Sequence, residues 1–553
     1  MPELTFTLPD GTVIAVEPGT SFRDIVTRLQ ASLALPVMAV KLNYEIKELM
    51  CTPTQGGKLE LIDLTSEDGI RIYARSLSFV LVRAASELFP GCQVRLEHSL
   101  SKGVYGEVDL PEERPFTNKE ALQISRRMSE IIQADEAIIK ETLPLEAAVD
   151  LFAKAGQHDK VRLFRYRQNP QVRVYRCGGY YDYFYGYMTP STGYLKLFEL
   201  KYYLPGFILR FPLRESPDRL PEFQEQRKLA RIFYEYEKWG HILEVDDVAS
   251  LNDLIAAGKA GELIRIAEAL QEKKIAQIAD LIAADRERIR VILIAGPSSS
   301  GKTTFAQRLM VQLRVNGLKP VAISLDDYFV DREHTPVGVN GLPDYECLEA
   351  INLDLFNEQL TSLIHGFPVH LPRYDFQKGQ SETRPEEICI GGDQPIIIEG
   401  IHGLNERLTV HIPKDHKFKI YVSALTQLNI DNHNRIATTD NRIIRRIVRD
   451  NQFRGYNALR TIGMWPMVRR GEENYIFPFQ EEADVMFNSA LIYELAILKQ
   501  YAEPLLAAIT PADPEYPEAK RLLKFLSYFL PLQEAEVPIH SILREFIGSS
   551  CFY

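Results

Sequence analysis

Residues 296–303 read Gly-Pro-Ser-Ser-Ser-Gly-Lys-Thr and fit the spacing G-x-x-x-x-G-K-[ST] at every fixed position. That set of residue types handles phosphate. Gly296 and Gly301 allow a tight turn, so the N–H groups of Ser298, Ser299 and Ser300 can converge on phosphate oxygens. Lys302 would reach the terminal phosphates, Thr303 would offer its hydroxyl to Mg²⁺, and Thr304 continues a helix whose positive end faces the anion. Downstream, Pro320-Val-Ala-Ile-Ser-Leu ends in Asp326-Asp327. A carboxylate there can accept the proton of an attacking hydroxyl during phosphoryl transfer; a pair that merely caps the next loop is the alternative. A second apolar run, Gln394-Pro-Ile-Ile-Ile, ends in Glu399, the usual place for an anchor of phosphate-bound Mg²⁺. His402 reads as a loop residue, because Asp326 already supplies a base. Arg442, Arg445, Arg446 and Arg449 share one helical side, with isoleucine and valine opposite. They form either a phosphate clamp or a solvated basic face.

These residues need a scaffold. Val-Ile-Leu-Ile-Ala before Gly296 predicts a buried strand, and Phe305, Leu309 and Leu313 predict a helix with one core-facing stripe ending near Gly317. Residues 320–325 predict a second buried strand. Strand, loop and helix repeated in this way imply a mainly parallel sheet with ligands at its carboxyl edge. At 553 residues the chain is too long for one core. Its net charge of −11 argues against a general nucleic-acid coat, so any RNA contact has to be local. No apolar run is long enough to span a bilayer and the start lacks a signal-peptide pattern, so a cytoplasmic protein without a membrane partner is expected. Six scattered cysteines suggest reduced thiols, not a disulfide framework.

Before the loop the pattern changes twice. Alternating Leu4–Leu8, the turn Pro9-Asp10-Gly11 and Thr12–Val16 predict a hairpin; Ile25, Leu29 and Leu33 mark a helix, and two more strands follow near 37–42 and 58–62. A tyrosine-rich run spans Tyr175–Tyr187 and suits either half-buried strand positions or base stacking, with Arg173 and Arg176 nearby for phosphates. From about 215 to 288 the pattern is helical, with Leu251, Leu254, Ile255, Leu263, Ile266, Leu270, Ile275, Ile278 and Leu281 at three- and four-residue steps.

The ββαββ order at the N-terminus resembles the TGS domain of threonyl-tRNA synthetases, and Asp68–Gly91 is similar to the start of their second additional domain. The resemblance implies an editing-type pocket with an H-x-x-x-H pair and a later C-x-x-x-H. Here those positions carry Arg75 and Phe79, then Cys177 and Tyr181. One thiol cannot make a metal site, so a scaffold or a recognition surface, with a local RNA or tRNA contact, is expected.

Residues 290–490 resemble the uridine kinase branch of the phosphoribulokinase/uridine kinase family. The blocks run GPSSSGKTT at 296–304, ISLDDYF at 323–329, YECLEAIN at 345–352, PRYDF at 372–376, IIIEGIHGL at 396–404 and RRIVRDNQFRG at 445–455. The resemblance implies Asp326 as base toward a nucleoside 5′-hydroxyl, with Lys302, Arg449 and Arg454 on the phosphates of ATP. Thr303 and Glu399 would serve Mg²⁺, and Glu346, Tyr374 and Arg446 would line the nucleoside pocket. Three positions depart from the family: Glu346 replaces aspartate, Gly379 replaces histidine, and Arg454-Gly455-Tyr456 replaces R-G-R. Uridine or cytidine is thus the default acceptor, and a sugar-type acceptor is the alternative within kinases. A different class of reading is an RNA- or ribosome-associated protein using ATP as a switch. The absence of N-K-x-D argues against a GTPase version of it, since the sole Asn-Lys, Asn118-Lys119, continues Glu-Ala.

The expected organisation is multidomain α/β and α+β: a TGS-like β-grasp at 1–66, an α+β synthetase-like domain at 67–215, a helical connector at 216–288 and a P-loop α/β/α kinase domain at 289–553. Helices beyond 490 are expected only to pack, and homo-oligomerisation is left open.

Overall fold

The structure, a computed structural model, describes residues 3–29, 34–338, 341, 343–375, 378–426 and 428–552. In its first sheet β1 (Leu4–Thr7) alternates, burying Phe6 while Thr5 and Thr7 face water. It pairs antiparallel with β2 (Val13–Val16), and α1 (Phe22–Leu29) packs Phe22, Ile25 and Val26 onto the sheet. With β3 (Ala39–Leu42), β4 (Glu45–Glu48) and β5 (Gly57–Ile62) the order is β2-β1-β5-β3-β4, a β-grasp with β1 and β5 parallel. β4 adds to the four expected strands, because Glu-Ile-Lys-Glu carries a single apolar residue and no alternation to read. Leu33, expected to extend the helical stripe, lies outside the described residues.

The α+β domain begins with α2 (Glu67–Leu88), capped by the Ser66 hydroxyl, which accepts from Gly69 N–H at 3.0 Å. β6 (Gln93–Leu100) and β7 (Gly103–Asp109) lead to α3 (Asn118–Gln133), where Asn118-Lys119 open a helix behind a Thr117/Glu120 capping box. Then come β8 (Ile139–Pro144), α4 (Leu145–Lys154), α5 (His158–Phe164), β9 (Gln171–Cys177), β10 (Tyr180–Asp182), β11 (Glu199–Tyr203) and β12 (Gly206–Arg210). They form two sheets, β11-β12-β7-β6 and β10-β9-β8. The tyrosine run stays in strands only to Asp182, and Tyr183, Tyr185 and Tyr187 follow on irregular chain.

α6 (Arg227–Leu243), α7 (Val248–Ala256) and α8 (Ala260–Ala284) make the helical segment. Leu263, Ile275 and Ile278 are buried, but Ile266 and Leu281 are 40% and 56% exposed, so the periodic reading drew the apolar face too wide. α8 lies along α9 (Lys302–Val315), and Arg308 of α9 donates to Glu272 of α8 at 2.6 Å. α7 and α8 thus share one hydrophobic core with the domain that follows them.

That domain is built on β13 (Val291–Ala295), β14 (Val321–Ser324), β17 (Ile396–Glu399), β18 (Lys417–Ser423) and β21 (Val485–Asn488), in the order β14-β17-β13-β18-β21 with every pairing parallel. All five residues of the central β13 are buried, as expected of a strand covered on both faces. β14 corrects the expectation of a second buried strand: it is an edge strand with Ala322 exposed. α10 (Leu353–Ile364) precedes an outlying hairpin of β15 (Val369–Asp375) and β16 (Gln380–Ile388). A small hairpin of β19 (Asn429–Asp431) and β20 (Asn434–Arg435) precedes α11 (Thr438–Arg454) and α12 (Ala458–Tyr475). After β21 the chain closes with α13 (Glu494–Ala507), α14 (Tyr516–Leu526) and the single turn α15 (Arg544–Ile547). Among the described residues no helix is long and apolar enough to cross a membrane.

The α+β domain grips the β19–β20 hairpin through buried charges. Lys160 Nζ of α5 lies 3.3 Å from Asp182 and 3.8 Å from Asp431 of the hairpin, and His433 Nδ1 lies 2.8 Å from Asp182. All four side chains are nearly inaccessible to water. Asn434 adds a hydrogen bond to the Tyr183 carbonyl at 2.9 Å.

Candidate active site

β13 ends at Ala295 and the chain turns at Gly296, where a Cβ would come within 1.9 Å of the Val422 carbonyl oxygen. Gly301 turns the loop into α9 with φ +79°, a conformation that favours glycine. Lys302 lies back over the loop and donates to the carbonyls of Gly296 at 2.9 Å and Pro297 at 3.2 Å. Burial lowers its pKa, while Glu399 and Asp326 act in the opposite sense. The hydroxyls of Ser299 and Ser300 are buried without a hydrogen-bond partner. Such orphaned donors are costly, and a phosphate in the loop would satisfy them.

The two aspartates after β14 separate in role. Asp327 fastens the β15–β16 hairpin, accepting from Arg384 Nη2 at 2.7 Å and from the Tyr374 N–H at 3.4 Å. Among the described residues no group hydrogen-bonds to the Asp326 carboxylate, and the residue is exposed. Desolvation there raises its pKa, and Lys302 and Arg454 oppose the rise.

Glu399 ends β17 and is pushed up to about 7, chiefly by burial, against the pull of Lys302 and the Thr303 hydroxyl. Thr303 Oγ1 donates to Glu399 Oε1 at 2.9 Å, and the buried Oε2 has no partner. A hard cation with oxygen ligands fits this pair, with water and phosphate completing its shell. Among the described residues no group of three His, Cys, Asp or Glu makes a self-sufficient metal site. His402, nearby, is buried and pushed down to about 4, mainly by that burial, which keeps the ring neutral.

The arginines of α11 divide into braces and candidates. Arg442 and Arg445 are 1% and 0% exposed, which rules out a solvated face for them. Arg442 Nε donates to the Ser298 carbonyl at 2.9 Å and pairs with Glu472, while Arg445 donates to the Ser489 carbonyl at 2.8 Å and pairs with Glu494 at 2.5 Å. Arg442 therefore holds the loop directly, and Arg445 reaches it by donating to the Ser299 carbonyl at 3.4 Å. Arg446 Nη1 donates to Ser298 Oγ at 2.6 Å. The buried Asp450 gathers Arg446, Arg449 and Arg454 at 3.3, 2.9 and 3.5 Å, which aims the last two from one point.

On the acceptor side Glu346 is raised to about 7, first by burial, with Arg446 opposing and Asp326 reinforcing the rise. Tyr374 is buried with its ring 5.6 Å from that of Phe329. Gly379 has φ +73°, and a Cβ there would lie 2.7 Å from Arg332 Nε, so a guanidinium stands beside the position where the family carries histidine. Phe376 of the PRYDF block lies outside the described residues.

Two carboxylates on the loop had no signal in the sequence. Glu472 of α12 accepts from the Ser298 N–H at 3.1 Å. Glu545 of α15 accepts from the Thr304 N–H at 3.1 Å and from its hydroxyl at 2.8 Å, while Ile542 covers Gly301. The N–H groups at a helix start are those that meet phosphate, so Glu545 occupies an anion position. The segment 541–547, expected only to pack, therefore touches the site. Neither acid belongs to a motif; only the folded chain brings them 174 and 241 residues across the sequence.

Residues 291–494 match the profile of the Phosphoribulokinase / Uridine kinase family. The N-terminal half matches threonine–tRNA ligases. That of Acidovorax sp. (strain JS42) is 31% identical over 195 residues, covering 35% of this chain and 30% of the ligase. That of Parvibaculum lavamentivorans is 33% identical over 198 residues, again 35% and 30%. The matched stretch thus spans less than a third of those relatives. Among solved structures, a "possible uridine kinase" from Bacillus stearothermophilus is 19% identical, covering 36% of this chain and 89% of that one, with a TM-score of 0.24. D-glycerate 3-kinase from Cryptococcus neoformans is 15% identical, covering 49% and 88%, with a TM-score of 0.22. Likenesses at this level say nothing about the acceptor. The chain thus carries a region similar to the phosphoribulokinase/uridine kinase family at residues 291–494, behind an N-terminal half similar to threonine–tRNA ligases.

Proposed function

We propose that the C-terminal domain transfers the γ-phosphoryl group of ATP to the 5′-hydroxyl of a nucleoside, with uridine or cytidine as the first acceptors to test. The observation that carries this reading is Asp326: a carboxylate without a protein hydrogen bond, in the same cleft as Lys302 and the Thr303–Glu399 pair. As the acceptor oxygen bonds to phosphorus and the β,γ-bridging bond breaks, Asp326 takes the hydroxyl proton and ADP leaves. Lys302, Arg449 and Arg454 balance charge on the transferring group, while Glu346, Tyr374 and Arg446 line the acceptor side. Thr303 and Glu399 would hold Mg²⁺, which would supply positive charge against the phosphates.

The test is to incubate the pure full-length chain with Mg-ATP and a panel of nucleosides, following ADP release together with nucleoside monophosphate. Turnover with a nucleoside supports the proposal. No turnover with any nucleoside, alongside retained tRNA or ribosome binding, would favour the RNA-associated switch. The guanidinium of Arg332 beside Gly379 favours one second reading, an acceptor that itself carries negative charge, such as a phosphorylated sugar. Sugar phosphates therefore belong in the same panel.

A further inference from the structure

Three cationic side chains are linked at the seam between the α+β domain and α14, a fourth lies within electrostatic reach of Lys524, and none of the four has a carboxylate within ion-pairing distance among the described residues. They are Arg75 of α2, Arg167 just after α5, Arg173 of β9 and Lys524 of α14. Arg75 Cζ lies 6.0 Å and Lys524 Nζ 5.9 Å from the centre of the same Tyr185 ring. That ring meets Tyr528 edge-on at 5.9 Å, Tyr528 bonds the Tyr183 hydroxyl, and Arg167 Nη1 donates to that hydroxyl at 3.3 Å. A continuous chain of contacts thus joins three of the four cations, and Arg173 is exposed on the neighbouring strand.

The carboxylates that border the seam already have partners. Glu48 accepts from Lys140 at 2.8 Å, Asp440 pairs with Arg521 at 2.7 Å, and Glu518 serves Arg521 and Arg71 at 2.7 and 3.0 Å. Lys524 records the imbalance: its pKa is pushed down to about 7, first by desolvation and then by Arg167, Arg75, Lys140 and Arg173. In a chain of net charge −11, surplus cations held together without a counter-charge are a native-state cost. An anion with several oxygens removes it, and guanidinium groups suit phosphate.

We propose that this seam is a second anion site, separate from the P-loop, which takes a phosphate-bearing group between Arg75, Arg167, Arg173 and Lys524. Its source is either a small oligophosphate ligand or the backbone of a single-stranded RNA. The full-length Lys302→Ala variant, with the P-loop site weakened, is titrated calorimetrically with inorganic tripolyphosphate at low salt. One saturable site is expected, weakened about tenfold or more by adding Arg173→Gln and Lys524→Gln. A short RNA that displaces tripolyphosphate assigns the site to nucleic acid, and an RNA that does not assigns it to the small ligand. In phosphate-free buffer, Lys524→Gln alone is expected to raise the melting temperature, because a like charge is removed. A lowered melting temperature, no tripolyphosphate binding, or binding indifferent to the Arg173 and Lys524 changes would overturn the proposal.

Discussion

At the P-loop, polar groups outnumber their internal partners: Asp326, Glu399 Oε2, Ser299 and Ser300 all keep atoms unmatched by the protein. Around Cys177 the reverse holds. Arg83, one turn beyond the expected pair at Arg75 and Phe79, reaches Cys177 Sγ at 3.0 Å and Glu136 at 3.0 Å. Phe79 is fully buried, its ring 5.4 Å from Tyr180, and burial pushes the Cys177 thiol up to about 11. One region holds groups ready for a ligand; the other has turned the place of a ligand set into a closed packing contact. Retained architecture alone therefore does not mark a site; the groups left over for a ligand have to be gathered in one place as well.

The sharpest way to break this contrast is Asp326→Asn. It is expected to lower turnover about 10²–10⁴-fold with ATP binding preserved, measured by steady-state kinetics and calorimetry. Full turnover in that variant would remove Asp326 as the base. Arg83→Met should instead act on folding. Leaving Glu136 without its cation, while Glu87 keeps Arg127 at 2.7 Å, is expected to cost about 1–2 kcal/mol in denaturant unfolding, below a fully buried pair because Glu136 is about a third exposed. The specific turnover of its folded fraction should not change. Glu545→Gln removes a negative charge from a phosphate-binding N–H, so ATP affinity should rise about tenfold; unchanged affinity would mean that the contact does not compete with ATP. Glu399, raised to about 7, must be ionised to hold a cation, so Mg-ATP affinity should fall as pH drops below about 7. Thr303→Val removes a hydrogen bond that favours the carboxylate, so the same fall should begin at a higher pH, whereas Glu399→Gln should abolish the pH dependence. The smallest effect belongs to Cys177→Ala, with turnover changing less than about twofold and the native thiol resisting alkylation at neutral pH.

How much of the site is legible in the chain follows from how local its parts are. Gly296–Thr303 can be read because all its binding groups lie in eight consecutive residues. Asp326 and Glu399 can be read because each closes an apolar run. Nothing local distinguishes Asp326 from Asp327, since the difference lies in Arg384 and Tyr374 reaching across from the hairpin. Glu472 and Glu545 are invisible for the same reason, and Arg442 and Arg445 look like solvated charges until Glu472 and Glu494 are seen against them. In the fold, periodicity found the helices of 216–288 but not that α8 completes the core beside α9. Tyrosine content suggested a longer strand than exists, because a side chain suited to a sheet is equally suited to a seam.

The grip of Lys160 and Asp182 on Asp431 and His433 bears on how such a chain can be cut and inherited. The hairpin they hold leads directly into α11, whose arginines brace the loop. A chain shortened to its second half would lose Lys160 and Asp182 from this contact. It would uncover an aspartate and a histidine built to meet a neighbour, at the root of the helix that shapes the nucleotide loop. The two halves are therefore joined through buried charge, and any effect of truncation has to be separated from the loss of that wall before it is assigned to a missing function.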